Sequence, residues 1–181
     1  WSDAASFQRL GVTRLDDTGA RLAVAVLVAG ASVVIGDDFD KSSLRRELVR
    51  AVDDGWLTVI EAEQRASRVS WSSDFDDCDA VLLTGNDSEQ AQAVCDLDMR
   101  LCANVVLITT ATEIDVSSLA RPALMPERIV GLRFGADSVE IIASPWTDGS
   151  APARTFRWLE RCGERPFVAE MPTVQVEPVA A

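Results

Sequence analysis

The chain is predicted to be an α/β protein, a doubly wound, mostly parallel sheet with helices on both faces. Three observations predict this. Short apolar runs alternate along the chain with stretches of helical period. Two of those runs, Ala80 to Leu83 and Val105 to Thr109, lack polar alternation, which suits strands covered on both sides. A length of 181 residues with 48% hydrophobic residues is enough for one domain with a real core. The domain is expected over 10–170, after a lead-in at 1–9. The tail at 171–181 holds two prolines and no periodicity, so it reads as a linker or a docked extended segment.

Each element has its own warrant. Leu10 to Thr13 reads as a strand. Asp17 to Gly30 reads as a helix that is apolar on several sides, through Leu22, Val24, Val26 and Leu27. Ala31 to Ile35 is a second strand, ended by Gly36-Asp37-Asp38. Ser42 to Asp53 is a helix in which Leu44, Leu48 and Val52 recur every four residues, and Gly55 closes it. Thr58-x-x-Glu61 forms a capping-box signature for the next helix, with Ala62, Ala66 and Val69 on one face. These two helices form an insertion after the second strand.

A helix from about Ser88 to Leu101 follows the buried run at Ala80. Ile129 to Phe134 and Val139 to Ala143 are strands with no helix between them. Ser150 is placed to cap a helix that carries Pro152 in its first turn and ends at Gly163. Phe167 to Ala169 is a last short strand. Trp56, Trp71 and Trp158 fall in or beside elements and are expected to be partly buried. Trp146 lies in a loop and is a candidate partner contact.

Charge excludes several classes of partner. The net charge of −12 argues against nucleic acid and anionic membrane surfaces. No apolar run approaches the roughly 18 to 20 residues of a membrane span, and no signal peptide is visible. The chain begins at Trp1, so an upstream signal on a longer precursor would be out of view. The four cysteines, Cys78, Cys95, Cys102 and Cys162, form no C-x-x-C pair. They read as small buried residues in a reducing, cytoplasmic compartment, with Cys95 and Cys102 on one helical face. Asp74-Phe-Asp-Asp-Cys-Asp79 invites a calcium reading. Asp79 and Gly85 then hold the places of the required glycine and glutamate, so no metal is expected. Asp37-Asp-Phe-Asp40 reads as solvated acidic loop, and Ser117-Ser118 as ordinary loop.

No histidine occurs in the chain. Histidine is the usual acid–base group near neutral pH. The segment Arg121-Pro-Ala-Leu-Met-Pro-Glu-Arg-Ile-Val-Gly-Leu-Arg-Phe134 resembles the one that carries the catalytic histidine in 3-hydroxyacyl-CoA dehydrogenases, roughly A-R-P-E-R-V-V-G-L-H-F-F-N-P. Val28-Ala-Gly-Ala-Ser-Val-Val-Ile-Gly-Asp37 resembles that family's second-strand segment. Gly55-Trp-Leu-Thr58 is similar to its G-x-L-(T/S) turn between two inserted helices. The resemblance covers about 10–169. It implies a Rossmann-like NAD-binding domain, a setting in fatty acid metabolism, and a helical second domain, absent here, that completes the site.

What the resemblance implies for the site is loss. Counting back from the second strand, Arg14, Asp16 and Gly19 occupy the three glycine positions of G-x-G-x-x-G. Only the packing glycine is kept. Asp16 puts a carboxylate where a diphosphate belongs. Two like charges 4 Å apart repel by about 4 kcal/mol at an effective dielectric near 20. Arg14 is bulky where the turn is tight, unless it binds phosphate itself. Asp37 matches the residue that binds the ribose hydroxyls of NAD, although it also suits a plain turn.

Arg133 stands at the histidine position, and a guanidinium cannot serve as the base. Glu140 matches the partner glutamate but lies only seven positions on, because the F-N-P loop is missing. A structural Arg133–Glu140 ion pair is the preferred reading. Thr112 falls at the family's substrate-binding serine, Thr110 at an asparagine of the same motif, and Gln92 where a lysine is common. The expected protein is therefore a catalytically inactive domain of this kind that needs no NAD. It would bind a protein partner or another domain of a longer chain, as scaffold or regulator. The alternatives are a sensor or carrier that binds acyl-CoA weakly, or a nucleotide, and a dehydrogenase with rebuilt chemistry.

Overall fold

A computed structural model of the protein describes residues 7–36, 41–111 and 114–169. Eight strands form one sheet: β1 (Arg9–Val12), β2 (Ser32–Ile35), β3 (Val69–Trp71), β4 (Ala80–Leu83), β5 (Val106–Thr109), β6 (Ile129–Phe134), β7 (Val139–Ala143) and β8 (Pro166–Val168). Their spatial order is β3-β2-β1-β4-β5-β6-β7-β8. All neighbours are parallel except β6 and β7, which form an antiparallel hairpin. The helices are α1 (Asp17–Val28), α2 (Lys41–Asp53), α3 (Val59–Ala66), α4 (Asp87–Asp98), α5 (Val116–Ala120) and α6 (Ser150–Arg161). A single 3-10 turn, Pro126–Arg128, leads into β6. The predicted doubly wound α/β class is the observed one.

Alternation along the strands explains the two cores, because successive side chains point to opposite faces. Leu10, Val12, Ala80, Leu82 and Ile108 join one cluster with α1, α2 and α6. Val81, Leu83 and Leu107 join the other with α4, α5 and Phe75. α1 buries residues all round, as its composition predicts, since it is sandwiched between sheet and α2. Phe7 is buried, its ring 5.8 Å from that of Trp158.

Several expectations need correction. Val69 belongs to β3, not to the helix before it, which ends at Ala66. Ser117 and Ser118 lie in the short α5 rather than a loop. Ser150 does not cap α6. Gly149 holds that place, and the Ser150 hydroxyl donates to Asp148 instead (2.5 Å). Trp56 is exposed rather than partly buried. Cys78 and Cys162 are buried, but Cys95 and Cys102 are exposed. Cys102 also lies past the end of α4, so the two share no helical face.

Candidate functional site

In an open α/β sheet, ligands bind at the carboxyl ends of the strands, where neighbouring crossovers run in opposite directions. Here that point lies between β1 and β4. The turn from β1 into α1 carries Arg14 and Asp16, the turn from β4 into α4 carries Thr84 and Gly85, and Glu89 lies in the first turn of α4. The structure brings these two turns into direct contact.

Asp16 is the N-cap of α1. One carboxylate oxygen accepts a hydrogen bond from the Gly19 amide (2.7 Å), and the other from the Gly85 amide (2.9 Å). A helix N-terminus favours negative charge, and the protein's own carboxylate sits there. Gly19 is needed where it stands. A Cβ there would lie 2.5 Å from the Arg14 carbonyl oxygen. Gly85 has φ +104°, a left-handed backbone that favours glycine.

Arg14 is drawn across to the second turn. Its Nη1 donates to both carboxylate oxygens of Glu89, at 2.7 and 2.8 Å. Glu89 also closes a capping box with Asn86 at the start of α4. Hydrogen bonds from Asn86 and Arg14 hold the Glu89 carboxyl below its ordinary range. The Thr84 hydroxyl donates to the Arg14 carbonyl (2.5 Å). Beneath these turns Gln90 is buried. Its amide donates to Gly85 and Thr110, and its carbonyl accepts from the Thr109 hydroxyl (2.7 Å) and the Thr110 amide (2.9 Å).

Arg133 and Glu140 face each other in the β6–β7 register and form an ion pair at 2.9 Å. The Arg133 side chain is 63% exposed. Gly135 to Ser138 close the hairpin tightly, the Gly135 amide donating to the Ser138 carbonyl (2.8 Å). Three strand spacings, about 14 Å, separate β6 from β1, so this pair and Asp16 form two separate clusters. Asp37 and Thr112 lie outside the described residues. Gln92 donates to Asp96, one helical turn on in α4 (2.9 Å).

Sequence reasoning missed Glu89, Gln90 and the buried pair of Asp98 and Arg128. Arg128 donates to the Asp98 side chain at 2.9 and 3.2 Å and to the carbonyls of Asp98, Leu101 and Cys102. Asn86-x-x-Glu89 is a capping signature that would have placed the start of α4 and pointed to Glu89. No local signal marks the other three, whose partners come from other elements. Among the described residues no group of acidic and cysteine side chains is arranged to hold a metal ion. No helix among them is long and apolar enough to cross a membrane.

No protein-family model matches the chain, and no curated protein matches it by sequence. Solved structures do. FadB2 of M. tuberculosis is 21% identical with a TM-score of 0.82, over 91% of this chain and 64% of that one. The (S)-3-hydroxybutyryl-CoA dehydrogenase PaaH1 of Ralstonia eutropha is 21% identical with a TM-score of 0.81, over 93% and 65%. 3-Hydroxybutyryl-CoA dehydrogenase of Escherichia coli is 21% identical with a TM-score of 0.76, over 91% of this chain and 38% of that one. This chain thus spans less than two thirds of the length of these proteins, and across nearly all of its own length it has the Rossmann-like fold of 3-hydroxyacyl-CoA dehydrogenases.

Proposed function

We propose that this domain is a pseudoenzyme, a dehydrogenase fold that binds no NAD, transfers no hydride and works as a scaffold or regulatory module, in the cytoplasm. The observation that carries this reading is the Asp16 carboxylate at the α1 N-terminus, held by the Gly19 and Gly85 amides. The Gly19 amide belongs to the α1 N-terminus, where a dinucleotide fold holds the diphosphate. A dinucleotide would have to displace an attached anion and also meet its charge. The Arg133–Glu140 pair supports the same reading. A permanent cation stands where the resemblance places a base, and the glutamate neutralises it.

Calorimetry with NADH tests this. No heat of binding up to millimolar NADH is expected from the intact chain. Submillimolar affinity would overturn the reading, as would NADH-dependent turnover of acetoacetyl-CoA that Glu140→Gln abolishes.

A second reading has its own observation. An open groove of about 580 Å³ lies between α1, α2 and Phe134 and is lined by Arg21, Arg46 and Arg50. Their partners are loose: Glu164 at 3.7 Å, Asp17 at 3.5 Å and Asp54 at 3.9 Å. An incoming polyanion such as acyl-CoA could displace such exposed pairs, making the domain a sensor or carrier. Titration with acetoacetyl-CoA separates the two. Submillimolar binding that Arg46→Ala weakens favours the carrier.

A further inference from the structure

The two-helix insertion presents a surface that the rest of the domain does not cover. α3 buries none of its residues, although Val59, Ile60, Ala62 and Ala66 are apolar. Helices this short draw most of their stability from packing. Four of the eight large apolar side chains exposed among the described residues lie between positions 49 and 60: Val49, Trp56, Val59 and Ile60. Between α2 and α3 runs a groove of about 530 Å³, floored by Leu48, Val52 and Ala62.

Arg45, Asp53 and Glu63 are the charged residues of this groove, and the first two can complement each other across a two-fold axis. Arg45 and Asp53 both line it. Neither has an ion-pair partner among the described residues. Val49 lies midway between them and is 53% exposed. At about 1.5 Å per residue, Arg45 and Asp53 sit roughly 6 Å to either side of Val49 along α2. A two-fold axis crossing α2 at Val49 lays two copies antiparallel. It places Val49 on Val49 and each Arg45 opposite the other copy's Asp53, twice. Interfaces of this isologous kind are the commonest in soluble oligomers.

We propose that the occupant of this face is a second copy of the chain, docked antiparallel through α2 and α3. The dimer stands apart from the loss of the cofactor, because NADH binding at the other site would leave this face unchanged.

Sedimentation velocity over a micromolar-to-millimolar series tests it. The intact chain is expected to shift from monomer to dimer. Val49→Asp and Ile60→Asp should each give monomer with unchanged circular dichroism, since both side chains are exposed. Arg45→Asp should weaken the dimer by about tenfold or more. Combining it with Asp53→Arg should restore the dimer, because the swapped charges meet again. A chain that stays monomeric overturns the proposal. So does a dimer that survives Val49→Asp, or a loss at Arg45→Asp that the double exchange fails to recover.

Discussion

Two of the ion-paired arginines, Arg128 and Arg133, differ in what their pairs contribute. Arg128 and Asp98 are almost completely buried, their side chains 3% and 2% exposed. Removing one partner of such a pair strands the other, at a cost of about 3 to 5 kcal/mol. Asp98→Ala should therefore lower the denaturation midpoint sharply, and Asp98→Ala with Arg128→Met should recover part of the loss. Arg133→Ala removes a largely exposed pair and should cost less than about 1 kcal/mol. Asp16 lies between these extremes. Its carboxylate serves both as N-cap and as the acceptor for a second turn. Asp16→Ala should cost about 2 to 3 kcal/mol, and Asp16→Asn, which keeps one accepting oxygen but turns its NH2 toward the other backbone N–H, should cost about 1 to 2 kcal/mol. Urea denaturation of the variants checks all of these.

Among the elements, legibility followed length and periodicity. β4 was read at its observed bounds because a wholly apolar run between Asp79 and Thr84 has one reading. The capping box at Thr58 and Glu61 was read from four residues and is present. β3 was missed because Val69 continues the helical spacing of Ala62 and Ala66. Only pairing with β2 at the sheet edge makes it a strand. α5 was missed because five residues carry too little pattern. In the site, Arg14, Asp16 and Gly19 could be placed by counting and Glu89 lies in a legible capping signature, but the contact between the two turns could not be read, since Gly85 and Glu89 arrive from another crossover. α3 yields a prediction of its own. With nothing buried, it depends on its cap, so Thr58→Ala, costing about 1 kcal/mol, should melt it locally. Hydrogen exchange should rise at 59–66 while the amides of β1 and β4 keep their protection.

At the scale of the whole molecule, the sheet separates two cores, and each holds one buried thiol, Cys162 in one and Cys78 in the other. Burial pushes Cys78 up to about 11 and Cys162 up to about 12. Their folded values lie above the unfolded one near 9. The neutral thiols' contribution is thus complete below about pH 9 and is lost as pH rises toward 11 to 12. Midpoint stability should fall through that window, and Cys78→Ala with Cys162→Ala should flatten the fall. In the native state at neutral pH a thiol reagent should modify Cys95 and Cys102 quickly and the other two only as the fold opens. The joint at Asp16 also bears on what the molecule can report. An anion built into the chain faces its two amides within the same molecule, so any dissolved anion must compete with it there. Under the proposed function, occupancy at this joint is fixed when the polypeptide is made, so its state would carry no record of how much reduced or oxidised nucleotide surrounds it.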